Sequence, residues 1–164
     1  MGVEAKFARG AKEALAEVEA IEATEAPPVV PHVEPPFDPN APVDDPCLAR
    51  IHLIDPVLVA TSPKAAVMLG RANIEAAVKR LSMREGTLMP KGTGYTFTTV
   101  LYALQRHGVI PKQVVHTALE LYKLGSKAVH GDFEPNVDAA KDYVEASEKV
   151  VRLLLRPPSE STVS

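Results

Sequence analysis

The chain has 164 residues, of which 46% are hydrophobic and 24% are charged. This composition is typical of a globular protein and excludes a wholly disordered one, and the length fits one domain with an extended arm. The net charge of −3 hides an asymmetry, because residues 60–156 hold 14 Lys and Arg against 9 Asp and Glu, whereas the rest holds 4 against 12. A basic core with an acidic arm indicates an anionic partner such as nucleic acid.

The single cysteine, Cys47, excludes an intramolecular disulfide and supplies too few thiolates for a structural zinc site. No apolar run approaches the roughly 18 residues of a membrane-spanning helix, and the N-terminal stretch carries glutamates where a signal peptide would be apolar. We therefore expect a cytoplasmic protein that needs no membrane, metal or cofactor.

The N-terminal third divides into a helix and a linker. Residues 1–25 predict an amphipathic helix with a thin apolar stripe, which either docks on a partner or frays: Phe7, Ala11, Ala14, Val18 and Ile21. Eight prolines between Pro27 and Pro46 block helix and predict a semi-rigid spacer of polyproline character. From Leu48 to Ala60 the pattern fits either a brief strand or an extended strap, so 26–59 is interpreted as linker and strap.

Four amphipathic helices follow between residues 60 and 156, and they predict an all-α fold, a compact antiparallel four-helix bundle. They run from Ser62 to about Met83, Thr96 to His107, Pro111 to His130 and Asn136 to Arg156. The inward positions are Val67, Ile74, Val78 and Leu81, then Phe97, Leu101 and Leu104, and finally Val137, Ala140, Val144, Val151 and Leu154. Residues 157–164 are expected to form a disordered tail.

Arg71 falls on the apolar stripe of its own helix, where a guanidinium needs hydrogen-bond partners to offset desolvation. Glu75 lies one turn on and is the nearest candidate, which predicts a structural polar pair. A catalytic or binding role for Arg71 is the alternative.

The helix from Pro111 to His130 carries a polar stripe on one side, with a set of small residues, Ala118, Gly125 and Ala128, on the neighbouring side. The stripe comprises His116, Glu120, Lys123, Lys127 and His130. One interpretation is a solvated face on which Glu120 pairs with Lys123. The other is a cationic phosphate-binding cluster in which His130 transfers protons near neutral pH.

Three segments together resemble a bacterial domain-of-unknown-function group within the HEPN superfamily, over about residues 60–156. They are residues 70–75 (GRANIE), 108–111 (GVIP) and 123–131 (KLGSKAVHG). The resemblance implies a four-helix bundle, usually dimeric, in which an Arg and a His cleave RNA without metal in active members. By position it implies that His130 is the motif histidine, Gly125 the motif glycine, and Arg71 with Glu75 the first-helix pair. Lys123 stands where the motif has Arg, and Ser126 where this group usually has Asn.

Lysine keeps the charge of arginine but lacks its planar fork, so the exchange at Lys123 puts cleavage in doubt. The leading hypothesis is a catalytically degenerate HEPN-like module that forms a homodimer and binds RNA or protein in a bacterial defence setting. Its RNA-binding residues would be Lys123, Lys127, His130 and Arg71. One alternative is a metal-independent endoribonuclease with His130 and Lys123 as catalytic residues. The other is a purely structural dimeric scaffold.

Overall fold

The computed structural model describes residues 2–24, 51–85, 96–131 and 133–156, and within these ranges the chain is all-helical. The six helices are α1 (Val3–Thr24), α2 (Pro56–Thr61), α3 (Pro63–Arg84), α4 (Phe97–Arg106), α5 (Lys112–His130) and α6 (Val137–Leu155). The prediction of an all-α fold is thus confirmed. None of the helices in the described part is long and apolar enough to cross a membrane. The proline-rich spacer and the C-terminal tail fall within residues 25–50 and 157–164, which lie outside the described residues.

Local capping signals explain where the helices begin and end. Thr96 and Asn136 accept hydrogen bonds from the backbone N–H groups of Thr99 and Ala139, which satisfies donors that a helix start leaves free. Gly108 has a φ of 70°, a left-handed conformation that glycine adopts readily just after the end of a helix. Ser62 precedes Pro63 as predicted, but its side chain makes no capping bond.

The segment before α3 is a strap that leads into a short helix. The backbone N–H of His52 donates to Asn73 Oδ1 (2.8 Å), and Asn73 Nδ2 donates to the His52 carbonyl oxygen (2.7 Å). These two bonds fasten the irregular residues 51–55 to α3. Asp55 then accepts from the N–H of Val57 and starts α2, which the sequence did not predict because six residues are too few for a period to show.

The N-terminal helix is part of the core and packs on α5 and α6 of the same chain. Four of its five predicted stripe residues are buried, and the fifth, Ile21, is partly buried and packs against the core; the four are Phe7, Ala11, Ala14 and Val18. Packing against the rest of the core supplies the stability that the thin stripe could not supply alone. The helix therefore shares one hydrophobic core with residues 60–156.

Contacts along the helices give their directions. Glu19 and Glu22 of α1 pair with Lys149 of α6, while Phe7 stacks on Tyr143, so α1 and α6 run the same way. By the same reasoning α3 runs parallel to α6, because Lys64 approaches Glu134 and Gly70 abuts Tyr143 and Ser147. Helix α5 runs opposite to α3, since its residues 122 and 126 contact Arg71 while Lys64 reaches Gly131.

The helices that pack at the centre are not the four that the sequence predicts. Helices α1, α3, α5 and α6 make the main contacts, and α4 contacts only α3 and α5. The predicted inward positions of residues 60–156 are buried with one exception. Val137 is 43% exposed because it is the first residue of α6 and lies at the end of the helix.

Candidate functional site

Arg71 of α3 is held by two hydroxyl groups of α5. Its Nε donates to Ser126 Oγ (2.9 Å), its Nη2 donates to Tyr122 Oη (2.9 Å), and its Cζ lies 4.4 Å from the centroid of the Tyr122 ring. The predicted pair with Glu75 does not form: no hydrogen bond or ion pair joins the two within the described residues. The hydroxyls of the facing helix already satisfy the guanidinium, so Arg71 links two helices and not two turns of one helix.

Gly125 allows this close approach. A Cβ at Gly125 would collide with Tyr143 Oη and would lie 2.9 Å from Arg71 Cβ. Tyr143 is fully buried and donates to the carbonyl oxygen of Leu121 (2.8 Å), and burial raises the pKa of its phenol above the ordinary value. The small residues Ala118, Gly125 and Ala128 are all buried, so this side of α5 receives α3 and α6 of the same chain.

Tyr122 is the functional-site candidate that the sequence reasoning missed. Its ring stacks on Phe97 of α4, with 4.0 Å between the centroids and 13° between the planes. Arg71, Tyr122 and Phe97 thus tie α3, α4 and α5 together. The signal in the sequence was the four-residue step from Tyr122 to Ser126, which places both on the face of α5 that meets α3.

The remaining predicted site residues lie on the outside of α5. Lys123, Lys127 and His130 are exposed, as is His116. Lys123 Nζ donates to Glu120 Oε1 (3.0 Å), which is the surface pair that the first interpretation of the stripe expects. Within the described residues of one chain, no hydrogen bond or ion pair connects His130 with Lys123 or Arg71.

The two ends of the polar stripe on α5 differ in charge. At its N-terminal half, a groove of about 330 Å³ between α1 and α5 is lined by Glu13 and Glu17 as well as His116 and Glu120. Among the described residues, no group of three or more His, Cys, Asp or Glu could hold a metal ion. At the other end, Lys127 and His130 follow one another on α5, and Lys64 donates to the carbonyl oxygen of Gly131 (3.2 Å). The C-terminal end of α5 is therefore its cationic end.

Comparison with known proteins gives one match. The family model for a domain of unknown function, DUF4145, matches residues 56–162, which is more than half of the chain. No curated protein and no solved structure matches. The matched range begins at the first residue of α2 and includes Arg71, Tyr122, Ser126 and His130. The chain therefore belongs to the DUF4145 family.

Proposed function

We propose that the chain is a HEPN-like four-helix bundle that binds RNA or protein as a homodimer and is catalytically degenerate, in a nucleic-acid-linked or defence setting in the bacterial cytoplasm. The observation that carries the proposal is the exposed cationic end of α5, where Lys127 and His130 lie free of ion pairs within the described residues. The resemblance of residues 70–75, 108–111 and 123–131 to the HEPN group supports it.

Phosphate binding is favoured at this end by its charge. Lys127 and His130 are exposed, and Lys64 adds a third basic group although Glu134 partly offsets it at 4.0 Å. Exposed lysines contact phosphates as point charges and release counterions on binding. The basic balance of residues 60–156 acts in the same direction.

Catalysis is disfavoured by how the other motif positions are engaged. The ammonium of Lys123 is paired with Glu120 at the surface, and the guanidinium of Arg71 is occupied by Ser126 and Tyr122. RNA cleavage by the mechanism that the resemblance implies needs its histidine within hydrogen-bond reach of the reacting atoms and a cation beside the phosphate. These arrangements support binding without turnover.

The proposal is tested by titrating labelled single-stranded RNA with the full chain at several salt concentrations, followed by fluorescence anisotropy. We expect the double variant Lys127→Ala, His130→Ala to bind less tightly and to reduce the salt slope by about 0.7 for each phosphate that the protein no longer neutralises. The matched control is Lys112→Ala, an exposed lysine at the opposite end of α5. If Lys112→Ala weakens binding as much as the double variant does, the site is not at the cationic end. If the parent protein binds no RNA at low salt, RNA binding is excluded and the structural scaffold becomes the favoured function.

A cleavage assay separates the module from an enzyme. The same RNA is incubated with the protein in excess chelator and examined by gel. We expect intact RNA. Cleavage that resists the chelator and disappears in His130→Ala would overturn the degenerate interpretation in favour of an endoribonuclease. Sedimentation equilibrium tests the homodimer, which a monomer at all concentrations would exclude.

A further inference from the structure

An apolar groove lies between α2 and α6. It has a volume of about 470 Å³ and is lined chiefly by Ile54, Pro56, Val59, Val137 and Val144, with Lys141, Glu145 and Glu148 as its charged lining residues. Val137 is 43% exposed, and Leu53, the neighbour of Ile54 in the chain, is 94% exposed. Ile54, Val59 and Val144 are buried, so the apolar surface of the groove that the described residues leave open to solvent is that of Pro56, Ala60 and Val137.

We propose that the proline-rich segment 27–46 of this chain docks in the groove between α2 and α6. The proposal goes beyond RNA binding and does not depend on it. Its first support is where the segment is attached. Helix α1 ends at Thr24, close to Glu22, which approaches Arg152 near the end of α6 (3.9 Å). The chain returns at Ile51, next to His52, which is fastened to Asn73 of α3.

Residues 25–50 therefore connect α1 with the strap that leads into α2, and both of these helices pack on α6. The 26 residues from 25 to 50 can span up to about 90 Å when extended. Helix α6, with 19 residues, is about 28 Å long, so the segment is long enough to follow it down to the groove and back. Because the connection ends four residues before Ile54, its effective concentration at the groove is high, on the order of millimolar.

The composition of the segment matches the groove. Between its prolines it carries Val29, Val30, Val33 and Phe37, which would cover the aliphatic lining. Prolines restrict the free chain, so less conformational entropy is lost when it binds an apolar groove.

A spin label placed in the segment tests the docking in the full chain. In Cys47→Ser, the substitution Asn40→Cys gives one attachment point for a nitroxide. We expect the amide signals of Lys141 and Val144 to lose most of their intensity, while Lys112 and Gln113 on the far helix keep theirs. The loss should disappear in Val137→Glu, since a carboxylate in the groove opposes apolar docking.

Val137→Glu is expected to fold, because Val137 is exposed and an acidic side chain is favourable in the first turn of a helix. Val3→Glu is the matched control, since Val3 is also an exposed first-turn valine and should leave the signal loss unchanged. Equal intensity loss at all four amides, or loss that persists in Val137→Glu, would overturn the proposal. Signal loss in a mixture of isotope-labelled chains and separately spin-labelled chains would assign the groove to a second copy instead.

Discussion

Gly125→Ala should destabilise the protein even though alanine is the better helix former. The added methyl group would collide with Tyr143 Oη and would lie 2.9 Å and 3.1 Å from Arg71 Cβ and Cδ. Neither neighbour can move freely. Tyr143 is fully buried and bonded to the Leu121 carbonyl, and Arg71 is fixed by its two hydroxyl partners on α5.

The magnitude follows from three opposing contributions. Replacing Gly by Ala inside a helix stabilises by about 1 kcal/mol. Overpacking costs about 1 to 3 kcal/mol, and a buried phenol that loses its carbonyl partner costs about 1 to 3 kcal/mol more. The free energy of unfolding should therefore fall by about 1 to 5 kcal/mol.

Urea unfolding followed by circular dichroism measures this change, with Gly10→Ala as the control. At Gly10 a Cβ would meet only the terminal methyl groups of Leu124 (2.8 Å and 3.0 Å), which can rotate away. We expect Gly10→Ala to change stability by between zero and a gain of about 1 kcal/mol. In the Gly125→Ala background, Tyr143→Phe should cost less than in the parent because it removes the colliding hydroxyl. If Gly125→Ala and Gly10→Ala gain stability alike, Tyr143 and Arg71 do not lie as close to Gly125 as the structure has them.

Three further predictions concern the contacts between segments. Asn73→Ala should speed hydrogen exchange at the His52 amide and lower stability by about 1 to 2 kcal/mol, because it removes two hydrogen bonds that hold the strap; unchanged exchange would mean that the strap is held elsewhere. The hydrogen bond to Glu19 raises the pKa of Lys149 above its ordinary value of 10.5. The stability that Lys149 contributes is thus fully present below pH 10.5 and is lost as the pH rises through the higher folded pKa. The difference in unfolding free energy between the parent and Lys149→Met should therefore narrow in alkali, and a difference that stays constant as the pH rises through the folded pKa would contradict the pairing. Arg71→Lys should cost about 1 to 2 kcal/mol in urea unfolding because lysine lacks the planar fork whose two nitrogens donate to the two hydroxyls of α5, and an unchanged midpoint would show that charge alone matters.

The sequence singled out one residue of the candidate site, Arg71, but it did not identify the residues that bond to it. Arg71 stood out because it interrupts an apolar stripe, and its guanidinium donates to two hydroxyl groups where a carboxylate or helix-end carbonyls were expected. The partner was wrong, because Glu75 was chosen from the same helix. Tyr122 and Ser126 lie 51 and 55 residues further along the chain, and no local pattern brings them to Arg71.

Apart from the six-residue α2, the helices of the described part were determined by the sequence, since periodicity, capping residues and Gly108 act within a few positions. The faces that they bury were determined in the same way, except at Val137. Which helices pack together was decided only by the tertiary structure. Helix α1 packs on α5 and α6, and Gly125 admits Arg71 and Tyr143, because burial and close contact depend on segments that are far apart in the chain.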